Sequence, residues 1–207
     1  MPSLKVPRPK SGVGALVELV AIVLLAIGLA LLIQAYAIKP YQIPSPSMVP
    51  TLDVGQRVLV NRFIYHLHDP AIGDIVVFHP PTGATSGGPE CGASKPSDQA
   101  CPKPVATESD QNFIKRIVAG PGDKLSIRDG HPVVNGKIAH ESFINPCGPG
   151  PECNLRKPIT IPPDDYFMMG DNRGKSDDSR YWGPVPKSWI IGEAFFTYWP
   201  PDRVGFL

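Results

Sequence analysis

The pattern of apolar and polar positions divides the chain into one long uncharged run and a series of short ones. Residues 19–38 are 20 positions without a charge. A helix of that length spans roughly 30 Å at about 1.5 Å per residue, the thickness of a bilayer's hydrocarbon core. Glu18 and Lys39 flank the run, Tyr36 is placed for an interface, and Gly28 is tolerated inside such a helix. Residues 13–38 therefore read as a transmembrane anchor. Two other readings fit less well. A cleavable secretory leader has a shorter apolar region and a small-residue cleavage site, whereas this run ends in Tyr36-Ala37-Ile38-Lys39-Pro40. A buried core helix of this length normally keeps a polar face.

Pro40, Pro44, Pro46 and Pro50 then stop the helix and favour extended chain. The apolar runs that follow are short and β-branched or aromatic: 57–60, 75–78 after a Gly73-Asp74 turn, 113–118, 166–169 and 193–199. Asp129-Gly130 and Asn135-Gly136 punctuate two further runs and are tight-turn signals. No second helix and no internal repeat is expected. The predicted fold is mainly β: an antiparallel β domain over residues 39–207 with irregular loops, preceded by the one N-terminal transmembrane helix. Within it, residues 125–167 are expected to form a small β-ribbon subdomain.

Residues 82–110 break the strand pattern. They contain no aromatic residue, Val105 is the sole branched apolar side chain, and Gly, Pro and Ser recur throughout. Such a segment buries too little surface to order itself and is expected to be a solvent loop. Residues 145–157 read as a shorter loop of the same kind. The four cysteines fall in these two loops, Cys91 with Cys101 and Cys147 with Cys153. Four cysteines allow three pairings. Neighbour pairing is the simplest because each bond closes a short loop. Zinc is the alternative, but there is no C-x-x-C and no nearby histidine pair, so neither a metal nor another cofactor is expected.

Disulfides persist in oxidising compartments. Lys5, Arg8 and Lys10 precede the anchor and argue for a cytoplasmic tail over 1–12, with the β domain across the membrane. The net charge of +1 offers no field that would draw nucleic acid. The 26 prolines and 20 glycines argue against an all-helical protein. Trp182, Trp189 and Trp199 are candidates for aromatic contact with lipid.

The candidate chemistry is a serine with a lysine. The five histidines share no motif, and there is no G-x-S-x-G or H-E-x-x-H. Lysine can replace histidine as the base, but its reference pKa near 10.4 must first be lowered by burial. Lys115 lies in Phe113-Ile114-Lys115-Arg116-Ile117-Val118, where strand alternation puts it on one face with Phe113 and Ile117. A snorkelling edge lysine would look the same on this run alone, and Ser47 among prolines would pass for loop. Their conjunction is what carries the signal. Ile43-Pro44-Ser45-Pro46-Ser47-Met48-Val49-Pro50-Thr51-Leu52 follows the anchor, the strand lysine comes 68 residues on, and Gly170-Asp171-Asn172-Arg173-Gly174-Lys175-Ser176-Asp177-Asp178-Ser179-Arg180 follows later.

Together these segments resemble the type I signal peptidases, membrane-anchored serine proteases with a Ser-Lys dyad, over nearly the whole chain from the anchor to about Trp199. The resemblance implies Ser47 as nucleophile and Lys115 as general base, with the Ser47 N–H and the Ser45 hydroxyl as oxyanion donors. It implies that Ser176 orients the lysine amine, and that Asp171, Asp178, Arg180 and Arg116 form scaffold ion pairs. Ile43, Pro44, Met48, Leu52, Phe113 and Ile114 would line shallow apolar pockets for an extended substrate with a small-x-small cleavage site. The implied partners are signal-peptide-bearing preproteins, the lipid bilayer of the cell membrane and a nearby translocon. One departure stands out. The family more commonly has glycine where this chain has Pro46, which puts the geometry of the serine turn in question. A LexA-type self-cleaving protease also uses serine and lysine, but the anchor and the lack of a DNA-binding segment speak against it. The remaining alternative is an inactive anchored β domain that binds exported chains.

Overall fold

The computed structural model of the chain describes residues 12–84 and 91–207. The tail expected over 1–12, with Lys5, Arg8 and Lys10, lies outside the described residues apart from Gly12. In chain order the helices and strands are α1 (Gly12–Tyr36), β1 (Ile38–Gln42), β2 (Arg57–Asn61), β3 (Ile75–Phe78), β4 (Phe113–Ala119), β5 (Lys124–Arg128), β6 (His131–Val134), β7 (Lys137–Ile138), β8 (Ile159–Thr160), β9 (Asp165–Met169), α2 (Ser179–Trp182), β10 (Val185–Pro186), β11 (Ile190–Trp199) and β12 (Gly205–Phe206).

Glu18 apart, α1 is apolar on every side from Gly12 to Ile33, and its residues there are all exposed. A helix without a polar face is suited to a protein core or to lipid, not to water. It is the one helix among the described residues long and apolar enough to cross a membrane. The last turn closes with the Ala37 N–H donating to the Ile33 carbonyl. Ile38, which the sequence pattern assigns to the anchor, is instead the first residue of β1, opposite Asn61 of β2.

The rest is antiparallel β. One eight-stranded sheet runs β1-β2-β11-β3-β4-β9-β10, with β12 added on β11. A second sheet of four short strands runs β7-β6-β5-β8. Its two tight turns fall at the expected dipeptides: Asp129 and Gly130, like Asn135 and Gly136, have positive φ at both positions. That is the conformation a two-residue hairpin needs and the reason for glycine there. β1 sits on an edge of the large sheet, where Pro40 is tolerated because no inner neighbour needs its missing N–H.

β4 is the hub of the packing. Its residues feed three apolar clusters: Ile114 one beneath the serine turn with Met48, Leu52 and Val58, Ile117 a second with Phe78, Met168 and Trp182, and Val118 and Ala119 a third with Phe167 of β9 and with Leu125 and Ile127 of the small sheet. Full burial of each large side chain contributes about 1.5–3 kcal/mol, so the strand that carries Lys115 is held from several sides.

Three expectations need correction. A second helix does form: the one-turn α2, whose N-cap Asp178 carboxylate accepts the Arg180 N–H. Trp182 does not face lipid: it is wholly buried against Phe78, with ring centroids 5.8 Å apart, while Trp199 is 50% exposed. Nor is the described part of segment 82–110 a free solvent loop. Ala84 and Ala100 are buried in two of the core clusters. The Cys101 N–H donates to the Arg180 carbonyl, and the Lys157 N–H to the Asp98 carbonyl. A Cβ at Gly183 would collide with the backbone of Lys103 and Pro104. Small residues pack here by close backbone approach, which a count of large apolar side chains does not register.

Candidate active site

The serine turn is a 3-10 turn over Pro46–Met48, with Ser45 as its extended N-cap. Pro46 opens it, at a position where the missing N–H would have no partner within the turn. The proline in place of glycine is thus compatible with the local geometry. Met48 and Leu52 are fully buried, and the Leu52 N–H donates to the Met48 carbonyl, so the turn is pinned from below.

Lys115 is on β4, opposite Val76 of β3. Its Nζ donates to Ser47 Oγ at 2.8 Å, and Ser45 Oγ donates to the same oxygen at 3.2 Å. Lys115 is 4% exposed, and the Phe113 ring centroid lies 5.2 Å from its Nζ. Burial pushes the amine down to about 8, against the pull of Asp178, Asp177 and Asp171 and with the help of Arg180. Desolvation is the dominant cause because the charged ammonium loses more hydration than the neutral amine.

The third segment wraps over this pair. It joins β9 to α2, and the Asn172 N–H donates to the Ser47 carbonyl while its Nδ2 donates to the Pro46 carbonyl, both at 3.0 Å. Gly170 has no room for a Cβ, which would meet the Ser47 carbonyl and the Ser176 side chain. Asp171 takes a two-pronged bond from Arg116, Nε to Oδ1 at 2.9 Å and Nη2 to Oδ2 at 2.7 Å, and a third bond from Thr51. Asp178 and Arg180 form a second two-pronged pair at 2.8 and 2.9 Å, with both side chains fully buried. Burial opposes the charge on Asp178, but Arg180, their hydrogen bonds and the Gly170 N–H outweigh it and hold the carboxyl below its usual value. Asp177 is exposed, and its carboxyl is pushed up by partial desolvation and by Asp178.

The expected residues are therefore brought together, with two differences of placement. Ser176 Oγ is buried beside Gly170 and makes no hydrogen bond to Lys115. It lies near enough to Asp178 to favour that carboxylate's charge, yet it has no partner in hydrogen-bond geometry. Of the six expected pocket residues, Ile43, Pro44 and Ile114 line an open cleft of about 340 Å³ together with Tyr41, Gln42 and Asn112. Met48 and Leu52 lie wholly beneath the surface, and Phe113 stands over Lys115 and against Phe78 instead.

Sequence reasoning missed Asn172, Thr51, Glu141 and Arg173. Arg173 is fully buried; it donates from Nε to the Gly170 carbonyl and from Nη2 to Glu141 at 2.7 Å. Arg173 and Asn172 stand in the quoted segment, but nothing in their identity says which carbonyls they hold. Disulfides join Cys91 to Cys101 and Cys147 to Cys153. Cys147, Glu152 and Cys153 bring ligand-type atoms within 4.8 Å of one another, but both sulfurs are bonded to each other, so no thiolate is available to a metal.

A buried lysine amine set against a serine hydroxyl, on an antiparallel β scaffold that follows an apolar helix, is the arrangement a Ser-Lys hydrolase would use. The chain belongs to the signal peptidase, peptidase S26, family, whose model matches residues 16–199. It is 37% identical over 189 residues to the probable signal peptidase I-2 of Synechocystis sp., covering 91% of this chain and 74% of the relative. It is 33% identical to the signal peptidase I of Leptolyngbya laminosa, covering 97% and 87%. Thylakoidal processing peptidase 1 of Arabidopsis thaliana is 37% identical over 86% of this chain and 47% of its own length.

Proposed function

We propose that this signal peptidase cuts exported preproteins with Ser47 as nucleophile and Lys115 as general base. The observation that carries the reading is the 2.8 Å contact between a buried lysine amine and a serine hydroxyl. A neutral amine there accepts the Ser47 proton as Oγ attacks the scissile carbonyl. The developing oxyanion is placed to receive the Ser47 N–H and the Ser45 hydroxyl, the preorganised donors of acyl transfer. Collapse expels the amine of the mature chain, which takes the proton from Lys115. Water then gives a proton to the same base and attacks the acyl carbonyl, and Ser47 Oγ leaves with the proton that Lys115 returns, restoring the hydroxyl and the neutral amine.

The Arg116–Asp171 and Arg180–Asp178 pairs keep this loop in register, and Ser176, packed beside Gly170, helps seat it against the serine turn. The cleft at Ile43, Pro44 and Ile114 takes small side chains of a substrate laid out as an extended strand. Met48 and Leu52 form its floor. α1 anchors the enzyme in the cell membrane with the N-terminus in the cytoplasm, by the charge of Lys5, Arg8 and Lys10. The β domain then lies across the membrane beside the translocon, where leaders emerge, as an extracytoplasmic catalytic domain over 39–207 with the small sheet as its subdomain.

The test is cleavage of a peptide with an Ala-x-Ala site by the full-length protein in detergent. Ser47→Ala is expected to lose at least about 10³-fold in kcat/KM with its fold intact. Unchanged cleavage by that variant would remove Ser47 from the mechanism.

A further inference from the structure

Both disulfides converge on Arg180. Its carbonyl accepts the Cys101 N–H at 3.1 Å. Its Nη1 points at Cys147 Sγ, 3.7 Å away. Its Nη2 is shared among the carbonyls of Arg173 and Ser176 and the Asp178 carboxylate. Cys147 Sγ also lies 3.6 Å from the Arg173 carbonyl. The Gly130 N–H donates to the Cys153 carbonyl, and a Cβ at Gly130 would strike the Cys147 Cβ. On the other side, a Cβ at Gly183 would press on Cys101 Sγ. Each disulfide thus abuts the same buried guanidinium residue from a different loop.

We propose that the two disulfides are positioning groups of the peptidase: they clamp Arg180 against Asp178, so that forming these bonds completes the active site and reducing them leaves it loosened and less active. The inference rests on the Ser47–Lys115 reading above. Reduction by a dithiol gives two thiols for each bond and a cyclic disulfide of the reagent. It frees segment 147–153 from its short closed loop and loosens segment 91–101 from α2. Arg180 is then free to swing off Asp178.

The consequence for Lys115 has a definite sign. The charged groups acting on it come from the 170–180 loop: Asp171, Asp177 and Asp178, which favour its protonation, and Arg180, which opposes it. The serine turn offers it hydroxyls, and β3 places Val76 opposite. Arg180 itself faces Asp178, Tyr181 and Glu152. Removing Arg180 from this balance leaves Asp178 uncompensated, and the amine holds its proton to higher pH.

The experiment is a kcat/KM profile from pH 6 to 10 for the full-length enzyme in detergent on an Ala-x-Ala peptide. It compares the oxidised form, the form reduced with dithiothreitol, and the Cys147→Ala/Cys153→Ala and Cys91→Ala/Cys101→Ala variants. The acid limb is expected to move up by about one pH unit on reduction and in the Cys147/Cys153 variant, about a tenfold loss on the acid side that is recovered at high pH. The Cys91/Cys101 variant, which touches only the Arg180 backbone, is expected to move less. A loss equal at every pH, with or without loss of near-ultraviolet circular dichroism, would overturn the proposal in favour of loop stapling alone, as would no change. Absence of cleavage by the oxidised wild type would instead count against the peptidase reading itself.

Discussion

The 170–180 loop and the 82–110 segment are both irregular and poor in large apolar side chains, yet they are ordered by different means. The first buries Asp171, Arg173, Asp178 and Arg180 almost completely and satisfies them with one another and with backbone carbonyls. The second, over its described residues, is mostly exposed or half-buried. It is held by one disulfide, a few backbone bonds and small residues pressed against α2. A charge-rich segment can be part of the core when its charges are paired, and a segment too polar to fold alone can be ordered by a cross-link and a surface to lie on.

Substitutions can sharpen that contrast. Asp178→Ala should have the largest effect on stability, because it leaves the Arg180 charge buried without its partner and the Gly170 N–H without its acceptor. Breaking such a pair costs about 3–5 kcal/mol, to be read as a fall in the denaturant midpoint. Replacing residues 83–108 by a short Gly/Ser linker removes the Cys91–Cys101 bond and the burial of Ala100. It should destabilise the domain by about 2–5 kcal/mol, measured the same way; an unchanged midpoint would mean that the segment contributes nothing to the fold. At the other extreme lies the surface pair of Lys187 with Asp69, which is 78% exposed. Asp69→Asn should leave the unfolding midpoint within experimental scatter. A marked shift would show that exposed pairs in this chain matter as buried ones do.

The same contrast explains what the sequence made legible. The anchor, the central strands and the two Asx-Gly turns follow from period and turn chemistry, which are local. Ser47, Lys115 and the 170–180 loop were found because three separated segments resemble one family. The sequence pattern assigns Ile38 to the anchor and the prolines after it to extended chain without naming a strand, because Pro40 demotes a strand assignment and only the partner β2 reveals an edge strand. The docking of 82–110 was hidden because it depends on Ala100, Pro104 and Gly183 being small at the same place. Met48 and Leu52 were read as pocket walls since an apolar residue beside a nucleophile looks the same whether it lines the cleft or supports it. Arg173 and Asn172 were in view, but their roles lie in contacts with Gly170, Ser47 and Pro46 that no spacing encodes.

The most direct test of Lys115 as a neutral base is the pH dependence of kcat/KM in the wild type and in Lys115→Arg, set beside the pH dependence of stability. Burial lowers the folded amine from 10.5 to about 8, so the penalty for burying it is present in full below about 8. That penalty is relieved as pH rises toward 10.5, because the unfolded chain binds the extra proton across that window. Stability should therefore rise with pH through the window in the wild type, and cleavage should rise through about 8 as the amine becomes free to accept the serine proton. Lys115→Arg, whose guanidinium stays protonated, should be inactive at every pH. A flat profile in the wild type, or substantial cleavage by Lys115→Arg, would contradict the lysine-base mechanism.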